Sequence, residues 1–309
     1  MATVAVLIPC FNEVVTIGKV VTDFRRELPD ALVFVFDNNS TDGSAAAAAA
    51  AGATVVHESR QGKGFVIAAM LEKVEADVYI MVDGDATYPA GRVHDLIRPL
   101  IAGRADHVVG ARRAVNPERA YRPLHSFGNR LVTFLVNRVF RTNLQDVLSG
   151  YRAFTRDVAR GVPILSRGFD VETEFTLQSL EKGFRVEELP VDYVARPKGS
   201  QSKLSTFGDG FRVLRRIVVI LKDLRPFSFF ATLAGACSLL SVVVGWPPIH
   251  DYLLYKYVYH VPLAVLAGFL GLIAIVLLGV GTILSTINFR FREIHALGRR
   301  DHARSRPAP

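Results

Sequence analysis

Two stretches near the C-terminal end contain no charged residue: 227–246, FSFFATLAGACSLLSVVVGW, and 261–287, VPLAVLAGFLGLIAIVLLGVGTILSTI. No other feature restricts the fold as strongly. An α-helix rises about 1.5 Å per residue, so even the shorter stretch reaches roughly 30 Å, the hydrocarbon thickness of a bilayer. Helices in the core of water-soluble domains seldom run so far without a charge. Two transmembrane helices are expected, and they explain why half of the chain is hydrophobic and its mean hydropathy positive.

The flanks orient these helices. Arg212, Arg215, Arg216, Lys222 and Arg225 precede the first stretch, and Arg290, Arg292, Arg299, Arg300, Arg304 and Arg306 follow the second. The link 247–260 carries only Asp251 and Lys256. The positive-inside rule then places both chain ends in the cytoplasm and the link outside, in the inner (plasma) membrane. Trp246, Tyr252, Tyr255, Tyr257 and Tyr259 cluster where an outer aromatic belt would lie. Met1 leads into TVAVLI without a basic segment, so no signal peptide is expected.

Charge is divided unevenly. The first hundred residues hold 8 Lys/Arg against 13 Asp/Glu, the remainder 29 against 16. The basic excess lies beside the apolar stretches, which suits an anionic membrane surface and not nucleic acid. Cys10 and Cys237 are too few for a disulfide framework or a cysteine metal site.

The N-terminal two hundred residues alternate strand and helix patterns, which predicts an α/β domain with a mostly parallel sheet. Strands are expected at 3–8, 31–37, 53–58, 77–83 and 105–111. Helices are expected at 13–28, from Ser40 or Thr41 as cap to Ala51, at 64–74 and at 90–102. The polar loops PCFNE (9–13), DNNSTD (37–42) and DGDATYP (83–89) each follow a strand. Ligands bind at that carboxyl edge of open α/β sheets. No Gly-x-Gly-x-x-Gly follows the first strand, and RQGKGF lacks the first glycine and the Ser/Thr of a P-loop. From spacing alone, Asp83 and Asp85 admit two readings: turn residues, or hard oxygen ligands for a divalent cation. The stretches 124–140 and 206–224 mix apolar residues with Arg and Lys. They fit helices packed on the sheet or, this close to a membrane, helices lying in its interface; the second reading is favoured. The expected organisation is a domain over 1–205, an amphipathic segment over 206–225, a two-helix hairpin over 226–288 and a basic tail over 289–309.

The motifs IPCFNE (8–13), DNNSTDGS (37–44), GKG (62–64), DGD (83–85), GARR (110–113), DVLSGYRAF (146–154) and RPKGSQSKL (196–204) occur in an order that resembles glycosyltransferase family 2. Within it, the chain is similar to the polyprenyl-phosphate glycosyltransferases, over almost its whole length. The resemblance implies a Rossmann-like GT-A domain. It also implies inverting transfer of a sugar from a nucleotide diphosphate to a polyprenyl phosphate, undecaprenyl or dolichyl, with Mg²⁺ or Mn²⁺. Pro9, Phe11 and Glu13 are implied to cradle the nucleotide, with Asp37 at the base and Asn39, Lys63, Asp83 and Gly84 also on the donor side. Asp85, with Asp83, is implied to hold the metal, and Asp146 to be the catalytic carboxylate. Arg196, Ser202 and Lys203 match the loop for the acceptor phosphate, with Arg112, Arg113 and Arg130 as further basic candidates; membrane anchoring is the plainer reading of these three.

Two departures stand out. Thr87 occupies a position that is glutamine in many mannose synthases of this group, and the 196–203 loop is one residue longer than RxxGxSK. The Gln-x-x-Arg-Trp motif of processive polysaccharide synthases is absent, since the one tryptophan is Trp246. A silent nucleotide-sugar-binding scaffold is the alternative, disfavoured by the joint presence of Asp83, Asp85 and Asp146. A transferase with another lipid acceptor is a second alternative. Homo-oligomer formation is left open.

Overall fold

The computed structural model describes residues 2–114, 123–166, 171–194, 219, 222–223 and 225–304. For 114, 123–130, 292 and 295–304 it describes the backbone only. The chain divides into two compact units, Met1–Gly210 and Phe211–Pro309.

Among the described residues, the first unit has seven strands: β1 (Val4–Cys10), β2 (Leu32–Asp37), β3 (Thr54–His57), β4 (Val78–Met81), β5 (His107–Ala114), β6 (Arg152–Thr155) and β7 (Val186–Tyr193). Their order in the sheet is β3-β2-β1-β4-β6-β5-β7. All neighbours run parallel except β6, which is antiparallel to both β4 and β5. Reversal of this one strand matters for the site. Its first residue, Arg152, pairs with Met81 at the end of β4 and with Val109 in β5. The loop leading into β6 therefore lies on the same edge as the loops that leave β1, β2 and β4.

Central strands are buried on both faces, as the unbroken apolar runs require. Alternate residues of β1 face opposite ways. Val6 and Ile8 pack with Val20, Val21 and Phe24 of α1 (Ile17–Glu27) and Leu96 of α4 (Val93–Ile101). Ala5 and Leu7 pack with Ile67 and Met70 of α3 (Lys63–Lys73) and Phe175 of α7 (Val171–Glu181). Completing this unit are α2 (Ser44–Ala50), α5 (Pro123–Phe140) and α6 (Arg156–Gly161).

Local chemistry moves several boundaries. The first helix begins at Ile17 and not at Glu13, because the amides of Asn12, Glu13 and Val14 donate to Ser40 Oγ, Ser44 Oγ and Asp42 Oδ2. Neither Ser40 nor Thr41 caps the next helix. Gly43, at φ 91°, stands at that position, without a side-chain cap. β6 and β7 have no counterpart in the expected strands. β6 has four residues, and β7 interleaves acidic residues and Pro190, as suits a strand at the sheet's edge. In α5, Val132, Val136 and Val139 are buried at helical spacing while Phe134 and Arg138 are exposed. The predicted helix over 206–224 falls outside the described residues except at 219, 222 and 223.

The second unit contains α8 (Pro226–Tyr255) and α9 (Val261–Arg304), two helices long and apolar enough to cross a membrane. They pack antiparallel as a hairpin. Ser241 Oγ donates to the Ala267 carbonyl at 2.8 Å, and Gly245 and Gly281 leave room only for Ala267 and Phe230 of the facing helix. Small residues permit this close approach of apolar helices. The first helix does not stop at Trp246. It continues through Pro247 and Pro248 to Tyr255, which shortens the link to 256–260. Packing against a neighbouring helix lets such prolines persist. Asp251 closes the link, accepting from the amides of Tyr259 and His260 and lying 2.7 Å from His260 Nδ1.

Candidate functional site

The carboxyl edge of the sheet is assembled from loops that hold one another by side-chain to backbone bonds. Besides the three amides already named, Asn12 Oδ1 accepts from Thr41 N at 2.8 Å, and Thr16 Oγ1 donates to the Gly84 carbonyl at 2.8 Å. Asn38, fully enclosed, donates to the carbonyls of Glu58 and Arg60 and accepts from Gly62 N at 2.8 Å. Asn39 donates to the Ser59 carbonyl and to Gln61. Arg60 forks onto Glu58, and that bond brings the Glu58 carboxyl down to about 2. The β1, β2 and β3 loops thus form a fixed rim.

Carboxylates line this rim. Asp37 is buried at the end of β2, and its Oδ1 meets no hydrogen-bond donor among the described residues. Its Oδ2 accepts weakly from Ser40 N at 3.3 Å and lies 3.6 Å from His57 Nδ1. A buried acceptor left unsatisfied carries a penalty of about 1–3 kcal/mol, so this atom is suited to a ligand donor. Glu13 is buried in the β1 loop, with Phe11 half-buried. Pro9 supplies a carbonyl that, with Ile8 and Ile17, would crowd a Cβ at Gly84 at 3.2–3.5 Å.

After β4, the two aspartates differ. Asp85 is 4% exposed and accepts from the hydroxyl of Thr87 at 2.6 Å and from its amide. The residue that replaces the expected glutamine is therefore a direct partner of Asp85. Asp83 accepts from Lys63 Nζ at 2.6 Å. Its carboxylate is pressed against Gly150, where a Cβ would overlap it. Lys63 is also 2.5 Å from Glu172 Oε1. Burial pulls its ammonium toward neutrality, but the two carboxylates outweigh this and raise its pKa.

Asp146 sits in the loop before the reversed strand. Arg112 grips it with Nε at 2.6 Å and Nη2 at 2.8 Å, and Arg112 N adds a third bond. Burial raises the Asp146 carboxyl, and Arg112 more than reverses this, so the net shift is downward. Glu188 of β7 holds the same loop by accepting from the amides of Gln145 and Asp146; burial pushes its own carboxyl up. The enclosed Arg152 donates to the carbonyls of Val147 and Ser149 and to Thr176. Burial lowers its guanidinium to about 10. Tyr88 receives the amide of Gly150 and lies 3.3 Å from Ser149 Oγ.

The fold therefore brings Pro9, Phe11, Glu13, Asp37, Asn39, Lys63, Asp83, Gly84, Asp85, Arg112 and Asp146 to one edge, while Arg113 is exposed. Arg196, Ser202 and Lys203, and the side chain of Arg130, lie outside the described residues. Four residues were not singled out by sequence reasoning: Asn38, Arg152, Glu172 and Glu188. The first two lie inside quoted motifs. For Glu172 the signal was an acidic pair, with Glu174, opening an apolar helix; Glu188 had none.

Similarity to known proteins agrees with this arrangement. The sequence pattern described as Glycosyl transferase family 2 matches residues 5–162. The chain is 34% identical over 236 residues to "Glycosyltransferase AglJ" of Haloferax volcanii, covering 76% of this chain and 77% of that one. The chain belongs to glycosyl transferase family 2. It is also 27% identical over 215 residues to the undecaprenyl-phosphate mannosyltransferase of Micrococcus luteus, covering 65% and 87% of the two chains. Among solved structures, it resembles glucosyl-3-phosphoglycerate synthase from Mycobacterium tuberculosis in complex with Mn²⁺ and UDP-glucose. The TM-score is 0.58 at 21% identity, over 72% of this chain and 78% of that one. The mostly parallel sheet is thus of the GT-A kind, and the chemistry of this family 2 member is glycosyl transfer from a nucleotide sugar.

The donor set fits a divalent ion. Asp83 and Asp85 are hard oxygen ligands one residue apart, and Mg²⁺ or Mn²⁺ commonly takes one or two carboxylates and completes its sphere with phosphate oxygens and water. Among the described residues there is no cluster of three or more His, Cys, Asp or Glu that would form an all-protein cage. A metal shared with a diphosphate matches that composition.

Proposed function

We propose that the protein transfers a sugar, with inversion, from a nucleotide diphosphate sugar to a polyprenyl phosphate at the cytoplasmic face of the membrane. The observation that carries this reading is the contact of Asp83 with Gly150. It joins the rim that would bind the donor to the loop that presents Asp146. The hairpin α8–α9, apolar enough for a bilayer, supports a lipid acceptor. So does the similarity to an undecaprenyl-phosphate mannosyltransferase. The basic flanks support cytoplasmic chain ends.

In this reading Asp37 Oδ1 accepts from the base, while Pro9, Phe11, Glu13 and Asn39 shape the nucleotide pocket. Asp85 and Asp83 hold Mg²⁺ or Mn²⁺, which when bound stabilises negative charge on the departing diphosphate. Lys63 adds a fixed positive charge beside Asp83. A phosphate monoester has a second pKa of about 6, so the acceptor arrives largely ionised and needs little help from a base. Asp146, held ionised by Arg112, orients the acceptor and is not required to take its proton. Arg112, Arg130, Arg196, Ser202 and Lys203 supply charge-assisted donors for that phosphate.

The test is transfer from a radiolabelled nucleotide sugar to undecaprenyl phosphate in membranes, read in the organic-extractable fraction. Donors are first screened by thermal shift with Mn²⁺, since a ligand that binds only the folded state raises apparent stability. Label in the lipid fraction is expected. Donor binding with label passing only to a soluble phosphate acceptor would overturn the lipid assignment.

A further inference from the structure

Glu172 has no role in the reading above, yet its position is unusual. It is the second residue of α7, is buried, and lies 2.5 Å from Lys63 Nζ, which also contacts Asp83. The amino end of a helix favours a carboxylate, and Glu172 lies in the first turn of α7. Lys63 is in the opposite situation. It is the first residue of α3, where the helix dipole disfavours a cation, and it is itself largely enclosed. Two carboxylates at 2.6 and 2.5 Å overcome both penalties.

Net stability does not account for such an arrangement. Desolvation of buried ions commonly offsets their attraction, so an apolar triad of the same volume would serve the fold equally well. What the three charges achieve is placement. Asp83 is pressed against Gly150 and cannot withdraw in that direction, and Glu172 projects from a helix whose next turn is buried. The ammonium is fixed between them.

We propose that Glu172 is the positioning residue for Lys63, holding its ammonium aimed beside Asp83, where the leaving diphosphate gathers charge. This rests on the glycosyl-transfer reading above. It assigns Glu172 an effect on turnover through Lys63, with no contact of its own to donor or acceptor.

The test is a double-mutant cycle on the full-length protein in membranes, with Glu172→Gln, Lys63→Met and the pair. Misplacing a catalytic group by about 1 Å can lower the rate on the order of a hundredfold. Glu172→Gln is expected to lower kcat by about 10- to 100-fold and leave the acceptor KM unchanged. Calorimetric binding of UDP or GDP with Mn²⁺, whichever the unaltered protein binds, is expected to stay within about threefold. These expectations follow from groups that act as one unit, for which the double variant is no slower than Lys63→Met alone. Glu172→Asp, which keeps the charge, is expected to be faster than Glu172→Gln. Losses that multiply in the double variant would overturn the proposal, as would full turnover in Glu172→Gln or equal loss in Glu172→Asp. Each of these leaves glycosyl transfer standing. Absence of transfer by the unaltered protein would instead remove the reading on which this one rests.

Discussion

The two sides of the sheet edge are held in different ways. On the β1–β3 side, neutral groups do most of the holding: Asn38 bonds three backbone groups and Ser40 and Ser44 each receive an amide, with Asp42 and the Arg60–Glu58 pair as the charged members. On the β5–β7 side the loop before β6 is held by ions, Arg112 on Asp146, Glu188 on two amides and Arg152 on two carbonyls. On the β1–β3 side Asp37 Oδ1 is buried with no hydrogen-bond donor among the described residues. The charged side carries its own neutralisation, so it can present Asp146 ionised before any substrate arrives. In the proposed reading this difference separates donor capture from acceptor handling, and it can be probed from either side.

The largest effect is expected on the metal. Asp85→Ala should reduce transfer by on the order of a thousandfold, since metal stabilisation of a leaving group is worth several kcal/mol. EDTA should abolish transfer by the unaltered protein, and Mg²⁺ or Mn²⁺ should restore it. Full transfer in chelator would remove the metal from the mechanism. Next, Asp146→Asn should lower kcat by roughly a hundredfold while donor affinity, measured by calorimetry, is unchanged. Equal losses in both would move Asp146 into the donor pocket.

Asp146 also gives the comparison a pH signature. Its folded-state pKa is depressed below 3.8, so the stability it adds is present above that ordinary value. That contribution is lost as pH falls through the folded-state value. The Tm difference between the unaltered protein and Asp146→Asn should therefore be largest near neutrality and close in acid. A neutral contact should show no such closure. Asn38→Ala should destabilise by about 1–3 kcal/mol, because it strands buried backbone groups, and by a similar amount at pH 4 and pH 7 in denaturant titrations. Ser40→Ala, at a partly exposed single bond, should be the smallest effect, about 1 kcal/mol or less.

Much of this edge was legible in the sequence because strands β1, β2 and β4 are unbroken apolar runs that end in polar loops. The β6 side was less so. Asp146 and Arg112 were found by resemblance to a family, but nothing in their spacing revealed that they grip one another. Strand reversal places Asp146 before its strand, and a search for loops that follow strands passes it by. Glu188 lies on an edge strand whose alternation with acidic residues and Pro190 hides it. Helix boundaries failed for a local reason: the amides of Asn12, Glu13 and Val14 were claimed by side chains some thirty residues away. At the other end, the expected stretch stopped at Trp246, whereas α8 continues through Pro247 and Pro248 to Tyr255.

The reversed strand has a consequence for how the protein is made. On the ribosome, β1 to β4 are complete once residue 81 has emerged, and all their mutual pairings lie within that segment. The sheet cannot grow further until β6 arrives, because β5, though translated first, reaches β4 only through it. At about 5–20 residues per second, residue 155 follows residue 81 by roughly 4 to 15 seconds. During that interval a nascent chain holds the β1–β3 rim while the apolar edge Val78–Met81 stays open to mispairing. We expect chains stalled shortly after Ile101 to need a chaperone for solubility, and chains stalled well beyond Tyr193 to be released from that need; equal solubility of the two would show that the open edge is covered some other way.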